Sequence, residues 1–485
     1  MFRLRKLFLV LVIAVALPLL AEDDDSRFEV KYGKTFNFTG GRVSIDHGFG
    51  NLTIRTHNSS QVQVRATIRS SDDDIGKAIR VDASEGPQGV TITTNFPEIR
   101  NHSGRLSYSV DMNVLVPANA PVTAKNRFGN TDARGLGASS SIDNKQGSIS
   151  FHDGRGAHTL TNSFGSIEAS THRGDLTITN QNGSIAVRKV EGALVASNRF
   201  GSVDVADVSR AATIRNSNGS IDAVDIGGAL KATNSCGSVK ASTVRGAADV
   251  TNSNGRVELS NVSSHATVRH SFGSVVANTI GGALTVDGNN SKVDAAHIGG
   301  PATIETGFGS VTLSDVEGAV KVDNNNGSIR VTDVAGSFTG TTRFGSVHAE
   351  RVRGTATVQN SNASVTLKEI GNGATVRTSF GGVLIDGVDG AVTVENSNAL
   401  ISVRQLRGSG CHPISLKTNF SSIRVALPDN AGYDVNARTS FGSIKSAYPV
   451  TTTGMTESTM IGTIGRGGCR LDLANSNGNI TIERD

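Results

Sequence analysis

Apolar and polar positions repeat with a fixed period over most of this chain. Phe-Gly recurs at multiples of thirty-six residues, and Asn-Gly or a close substitute recurs halfway between. The aromatic positions are Phe128, Phe164, Phe200, Phe272, Phe308, Phe344 and Phe380, and the half-period positions are Gln146, Asn182, Asn218, Asn254, Asn290, Asn326, Asn362 and Asn398. The unit is therefore eighteen residues long, a period typical of solenoids whose units stack on one another.

Within a unit, two stretches alternate between apolar and polar residues, which predicts two short β-strands. We number each unit from its Phe or Asn as position 1, so the apolar residues stand at positions 4, 6, 9, 13 and 15. A representative unit, which begins at Asn182, has Ile185, Val187, Val190, Leu194 and Ala196 there. Position 11 is mostly Gly, as at Gly192, and we expect a corner there that needs an unusual backbone angle.

Five apolar residues per unit are too few to form a core, so the units must stack in parallel to close one apolar interior. The predicted fold class is all-β: a parallel β-helix, or solenoid, with about eighteen residues per coil and irregular capping ends. At ~4.8 Å between neighbouring strands, fifteen coils make a rod on the order of 70 Å long. The crossover preference of parallel strands favours a right-handed coil, but the sequence leaves the handedness open.

The alternation of Phe and Asn suggests a packing constraint. Rings that do not lie flat are too wide to occupy one line at every ~4.8 Å step, so Phe on every second coil relieves the crowding. We therefore interpret Phe as part of the packed wall, in preference to an exposed aromatic stripe, and Cys236 in the same slot as a small apolar wall residue. The intervening Asn residues are expected to hydrogen-bond corner backbone groups.

The pattern divides the chain into four segments. Residues 1–21 have a basic head, an apolar stretch and Ala21 before an acidic run, which predicts a cleaved signal peptide. Residues 22–127 form an N-terminal β region and cap, residues 128–397 the regular solenoid, and residues 398–485 irregular coils and a C-terminal cap. No segment after residue 21 is long and apolar enough to span a bilayer, so we expect no transmembrane segment in the mature chain.

Charge and cysteine content restrict the partners and the compartment. Without the three basic residues of the predicted signal peptide, 44 basic residues face 43 acidic ones, and they are scattered singly. Nucleic-acid binding needs clustered Lys and Arg, so we expect none. Cys411 and Cys469 could pair in an oxidising compartment, and the sequence leaves that pairing open.

Candidate chemistry is sparse. Position 8 carries Asp207 and Asp225 on adjacent coils, and Asp315 and Asp333 likewise; stacked carboxylates could bind calcium or act as an acid–base pair, but ordinary turn chemistry explains them better. Among eleven histidines, His265, His270 and His297 lie close in the repeat, and we interpret them as isolated surface residues. Serine at position 3 has no repeated partner that would activate it. We therefore predict no catalytic, cofactor-binding or metal-binding residues and no cofactor.

The chain resembles the bacterial β-strand-repeat family labelled "putative adhesins", whose domain has no assigned function. The likeness lies in Gly41–Ala66, in Val114–Ala120, and in the closing Gly462–Gly465 with Asn475–Ile482. The motifs are degenerate but occur in the same order. The resemblance implies an exported, non-enzymatic solenoid, and the long uninterrupted repeat suggests an extended member.

Three functions remain open from the sequence. The leading one is an exported structural, adhesin-like rod whose repetitive polar surface binds glycans, envelope polymer, proteins or other copies of itself multivalently. A polysaccharide-active β-helix enzyme and a periplasmic scaffold for protein partners are the alternatives. The signal peptide predicts the periplasm, the cell surface or the extracellular space.

Overall fold

The computed structural model describes residues 28–99, 105–407, 412–429 and 432–485. These residues form one helix, α1 (Asp73–Ala78), and β-strands joined in a single network. No helix among them is long and apolar enough to cross a membrane. The predicted signal peptide, residues 1–21, lies outside the described residues and stays a prediction.

The strands are short and follow the alternating segments of the sequence. Those before the regular repeat are β1 (Phe28–Asn37), β2 (Arg42–Phe49), β3 (Leu52–His57), β4 (Gln61–Ser70), β5 (Arg80–Gly86), β6 (Gly89–Asn95) and β7 (Tyr108–Pro117). Those of residues 122–334 are β8 (Val122–Phe128), β9 (Thr131–Arg134), β10 (Ser140–Gln146), β11 (Ile149–His152), β12 (His158–Phe164), β13 (Ile167–His172), β14 (Leu176–Asn182), β15 (Ile185–Val190), β16 (Leu194–Phe200), β17 (Val203–Val208), β18 (Ala212–Asn218), β19 (Ile221–Ile226), β20 (Leu230–Cys236), β21 (Val239–Val244), β22 (Ala248–Val262), β23 (Ala266–Ile280), β24 (Leu284–Ile298), β25 (Ala302–Phe308), β26 (Val311–Val316), β27 (Val320–Asn326) and β28 (Ile329–Val334).

The remaining strands complete the stack. The next ten are β29 (Phe338–Thr342), β30 (Val347–Val352), β31 (Ala356–Asn360), β32 (Val365–Ile370), β33 (Ala374–Arg377), β34 (Val383–Val388), β35 (Val392–Glu395), β36 (Ile401–Arg404), β37 (Ile414–Thr418) and β38 (Ile423–Leu427). The last six are β39 (Tyr433–Arg438), β40 (Ile444–Ser446), β41 (Val450–Met455), β42 (Thr459–Ile464), β43 (Cys469–Asn475) and β44 (Ile480–Arg484).

Equivalent strands of successive coils pair in parallel with an offset of eighteen residues. In β13 and β15, Ile167 lies opposite Ile185 and Ala169 opposite Val187; β14 and β16 pair in the same way. The side chains at positions 4, 6, 9, 13 and 15 are buried and form one continuous core along the stack. The predicted all-β solenoid with about eighteen residues per coil is confirmed, whereas its handedness stays a prediction.

The backbone turns at other positions than the sequence suggested. Position 8 carries a non-glycine residue with φ between 52° and 59° in nearly every regular coil, and the glycines at position 2 have φ of 117–156° in most coils up to Gly327. Most position-11 glycines, including Gly192, have ordinary φ, so the expectation of an unusual angle there is wrong. Glycine is needed there for space: a Cβ on Gly192 would lie 2.0 Å from Gly174 O.

Antiparallel strands cover both ends of the stack, and the chain reaches each end by a detour. At the N-terminal end, β2 and β3 pair with β8 and β9 on one side and with β6 and β7 on the other. Antiparallel β4 and β5 then flank that outermost coil, and β1 flanks β4. At the C-terminal end, β43 lies between β37 and β39, β44 lies between β38 and β40, and β42 and β41 pair antiparallel beyond β39. The predicted boundaries at residues 127 and 397 stay predictions.

Candidate binding surface

The residues at position 1 form a line along the outside of the rod, which we call the outer ladder. Alternation along the second strand ends at position 17, which faces inward, and the corner then turns positions 18 and 1 towards solvent. Nine phenylalanines of this ladder are 39–76% exposed: Phe128, Phe164, Phe200, Phe272, Phe308, Phe344, Phe380, Phe420 and Phe441. The interpretation of these rings as part of a packed wall is therefore wrong, and the exposed aromatic stripe is what the structure contains.

Ring size does not enforce the alternation either. Phe49 and Phe128 occupy the same slot on directly paired coils, and their rings stack with centroids 4.5 Å apart and planes 1° apart. Rings on consecutive coils are thus accommodated when they lie flat. The spacing of Phe at every second coil is a property of the surface, not a requirement of the packing.

The polar members of the outer ladder behave as predicted. Asn182 Nδ2 donates to Ser163 O at 3.3 Å, and Asn398 Nδ2 donates to Ser379 O at 3.1 Å. Both acceptors are backbone carbonyls at the corner of the preceding coil. These asparagines hold the corners in register between the exposed rings.

A second line of polar residues lies inside the corner at position 17, and the sequence analysis missed it. In this inner ladder, Asn180 Nδ2 donates to Gly165 O and Gly183 O at 3.1 Å, and Asn216 Nδ2 donates to Gly201 O at 2.9 Å. The amides satisfy buried carbonyls that the turning backbone cannot pair with a strand. The recurring Asn two residues before the outer ladder is the sequence signal for it.

The corner between the two strands has two forms. In what we call the closed section, residues 128–342, the N–H at position 2 donates to the position-1 carbonyl of the next coil, as from Gly165 to Asn182 at 2.8 Å. In the open section, residues 343–420, the position-1 N–H instead donates back to position 18 of the preceding coil, as from Phe380 to Ser361 at 2.9 Å. The second strand then ends two or three positions earlier, as at Asn360 in β31 and at Glu395 in β35.

The change of corner is accompanied by a change at position 2. The open section includes Ala363 and Ala399 there, where left-handed backbone would be strained, whereas every coil of the closed section except that of Ser291 has Gly with positive φ. Gly345 and Gly381 remain, but neither has the positive φ of the closed glycines. The eighteen-residue spacing is unbroken up to Asn398, so up to that point the substitutions at position 2 are the sequence signal that accompanies the change.

The open corners create a polar groove of about 670 Å³ along positions 16–18 of successive coils. Asn325, Arg343, Gln359, Arg377 and Lys417 are among the residues that line it. Amide and hydroxyl groups predominate in the lining, and Arg377 pairs with Glu395 at 3.2 Å.

The carboxylates at position 8 stand on the opposite turn in exposed left-handed corners. Asp315 lies 2.6 Å from His297 Nδ1, and Asp333 accepts from Arg351 Nε at 2.6 Å, a contact that lowers the pKa of Asp333. Asp207 and Asp225 are exposed in the same conformation. Within the described ranges, no group of three or more His, Cys, Asp or Glu side chains could hold a metal ion.

The histidines divide into exposed and buried ones. His265 and His297 are exposed, as interpreted, but His270 is buried, so its assignment to the surface is wrong. It takes an inner-ladder position and contacts Gly255 O and Ser291 Oγ at 2.8 Å. Burial lowers its pKa.

Two further histidines, His158 and His172, are buried against Phe151, with ring centroids 5.1 Å apart. Burial, reinforced by His172, lowers the pKa of His158 to about 4, so the neutral ring fills core space.

The three cysteines lie in different environments. Cys236 is free and exposed in the outer ladder, so its interpretation as an apolar wall residue is wrong for the same reason as for the rings. Cys469 is disulfide-bonded. Cys411 lies outside the described residues, and its pairing with Cys469 stays open, as the sequence left it.

Residues 281–483 match the model of a family described as Toastrack DUF4097. The match covers less than half of the 485-residue chain and includes the closing motifs Gly462–Gly465 and Asn475–Ile482, whereas the N-terminal motifs lie outside it. It confirms the resemblance inferred from the sequence, to a domain of unknown function found in bacterial repeat proteins.

A solved structure from Clostridium sporogenes ATCC 15579, named a "putative cell adhesion protein", is 10% identical to this chain. The alignment covers 48% of this chain and 99% of that one, with a TM-score of 0.20, and at that score it carries no argument. No curated protein matches the chain.

Proposed function

We propose that the protein is an exported structural, adhesin-like solenoid that binds partners in the cell envelope or outside the cell through many weak contacts, without catalysis. The observation that carries the proposal is the outer ladder, in which exposed rings recur at a fixed interval along a rigid rod. Two coils separate most of them, which corresponds to about 10 Å. The predicted signal peptide supports export.

The exposed rings of the outer ladder lie in one line on the same side of the rod. A half-exposed Phe presents roughly 100 Å², so nine of them present on the order of 900 Å². Single exposed apolar side chains are ordinary on soluble proteins, but a line of them at a regular interval offers a repetitive partner many equivalent contacts. Asn and Ser between the rings keep this surface soluble and supply hydrogen bonds to a polar partner.

A repetitive partner gains most from such a surface. Glycans, envelope polymers, proteins and other copies of the chain could each contact several rings at once. Once one contact forms, the rigid rod raises the effective concentration for the next one, so weak contacts multiply into useful affinity. The partner itself is left to experiment.

The ladder is tested with four closed-section substitutions: Phe164→Ser, Phe200→Ser, Phe272→Ser and Phe308→Ser. Binding to isolated cell envelopes, measured by co-sedimentation, should fall steeply as the number of substitutions rises from one to four, because each lost contact lowers the avidity of the others. The quadruple Phe→Tyr variant keeps the rings and should bind like the wild type. Undiminished binding of the quadruple Ser variant would contradict the proposal.

Location is tested by protease treatment of intact cells, with a known periplasmic protein as leakage control. Loss of the chain on intact cells supports surface display. Digestion only after lysis points to a scaffold inside the envelope, and the adhesive part of the proposal then fails. A lysed-cell control shows that the folded rod is cleavable at all.

A further inference from the structure

The polar groove of the open section is distinct from the outer ladder and has its own chemistry. It follows six successive corners, from Asn325 to Asn419, with a volume of about 670 Å³. Arg343 and Lys417 lie four coils apart along it, which corresponds to about 19 Å. A groove of this length suits a chain-like ligand that runs parallel to the rod.

The lining matches a ligand rich in hydroxyl groups. Gln359, Asn325 and Asn419 provide amides, and Ser361, Ser379 and Ser397 provide hydroxyls, so donors and acceptors are both present along the groove. A purely apolar ligand would leave these amides and hydroxyls without hydrogen-bond partners. Polyhydroxylated chains need this mixture of donors and acceptors.

The charged side chains that line the groove favour a ligand with widely spaced negative charges. Arg377 is paired with Glu395, Nε to Oε2 at 3.2 Å, and their charges offset each other. In the part of the chain that the structure describes, Arg343 and Lys417 form no ion pair and are exposed. Two unpaired cations four coils apart favour carboxylates at intervals. A nucleic acid, with a phosphate on every nucleotide, would require many more cations.

Aromatic rings follow the lining directly along the chain. Phe344 comes after Arg343, Phe380 after Ser379 and Phe420 after Asn419. Their exposed fractions of 57%, 64% and 62% exceed those of the closed-section rings, which reach 54% at most. Exposed ring faces beside polar groups can cover the apolar faces of sugar rings while the polar groups bind hydroxyls.

We infer that this groove binds an extended acidic polysaccharide. Arg343 and Lys417 bind its carboxylates, the amides and hydroxyls of the lining bind its hydroxyl groups, and Phe344, Phe380 and Phe420 pack against sugar rings. The inference rests on the proposed function, since it assigns a ligand class to one part of the same rod, but it uses residues that the closed-section Phe variants leave intact. The two proposals can therefore fail separately.

The test is affinity electrophoresis of the purified protein in gels containing hyaluronan, alginate or polygalacturonate, with dextran as a neutral polysaccharide and an oligo-dT strand as a nucleic acid. We expect at least one acidic polysaccharide to retard the wild type. Arg343→Gln combined with Lys417→Gln should raise its apparent Kd at least about tenfold.

The matched control is Arg199→Gln combined with Arg215→Gln. Arg199 precedes Phe200 as Arg343 precedes Phe344, and Arg215 stands at position 16 like Lys417, but both lie in the closed section away from the groove. This variant should bind within about twofold of the wild type. Both variants change only exposed side chains, so circular dichroism should show the wild-type β-spectrum.

Four outcomes would overturn the inference. The first is that the control variant loses as much binding as the groove variant, and the second is that dextran retards the protein as strongly as the acidic polysaccharides do. The third is that oligo-dT binds as tightly as the acidic polysaccharides and responds equally to the groove substitutions. The fourth is that none of the three acidic polysaccharides retards the wild type.

Discussion

The closed and open sections share a repeat, a register and a core, yet they present different surfaces. Val257 and Val383 occupy the same lattice position, and both are buried. At the corner, by contrast, Gly219 has φ of 133°, whereas Ala363 does not adopt positive φ. The two sections thus differ in the corner hydrogen bond although their core positions are the same, because the core alone does not determine the turn.

The largest expected effect comes from substitutions that test whether the two sections share one core. Val257→Asp and Val383→Asp should each destabilise the protein by more than about 4 kcal/mol, because each buries a charge without a partner. Urea denaturation followed by circular dichroism measures this. Asp207→Ala, an exposed corner substitution, should stay within about 0.5 kcal/mol. A tolerated Val383→Asp would mean that the core of the open section is not the continuation of the closed one.

Substitution at position 2 should cost the closed corner more stability than the open corner. Gly219→Ala should cost at least about 2 kcal/mol, since its φ is left-handed and the new Cβ would lie 2.2 Å from Gly201 O. Ala363→Gly should cost less than about 1 kcal/mol. The same denaturation midpoints report both. Equal losses would show that the two corners do not differ as described.

The inner ladder offers a second matched pair. Asn216→Ala removes the 2.9 Å bond to Gly201 O, which then keeps only Asn198 Nδ2 as a side-chain donor, at 3.2 Å, so we expect a loss of about 0.5–1.5 kcal/mol. Thr378 Oγ1 is buried and makes no hydrogen bond within the described residues, so Thr378→Val should be neutral or slightly stabilising. A marked loss on Thr378→Val would reveal a partner for that hydroxyl.

The smallest effects belong to the exposed rings. Phe308 and Phe380 are 52% and 64% exposed, and their replacement by Ser should change the stability of either section by no more than about 0.5 kcal/mol. Differential scanning calorimetry can compare the two variants with the wild type. A larger loss in either would restore a packing role for the rings.

The fold could be predicted from sequence because its signals are periodic. Apolar residues at positions 4, 6, 9, 13 and 15 recur without insertion, and each recurrence supports the same strand assignment. The exposure of the Phe side chains could not be predicted in this way. Strand alternation stops at the corner, where the direction of a side chain depends on the local φ and ψ. The same limit explains the wrong expectation for Gly192, whereas His270 at position 17 continues the inward alternation of positions 13 and 15, so its burial was predictable from the pattern.

The candidate groove could not be predicted from the sequence for a related reason. Neither Ala363 nor Ala399 changes the spacing, the charge or the strand pattern, and the groove appears only when six corners are aligned in space. Arg343 and Lys417 are seventy-four positions apart in the chain. A periodic pattern indicates which positions share a face, but not how the turn between two faces is wound.

The detour at the C-terminal end has a consequence for how the rod can be assembled. Because β43 and β44 lie between the coil of β37 and β38 and the coil of β39 and β40, the tip of the rod comes earlier in the chain than the coil beneath it. Asn477 thereby lies between Phe420 and Phe441 in space. The alternation of Phe and Asn along the outer ladder thus continues there, although it is no longer visible in the order of the sequence. Folding cannot add these coils in chain order: β43 and β44 must either dock before β39 and β40 or insert between them and β37 and β38.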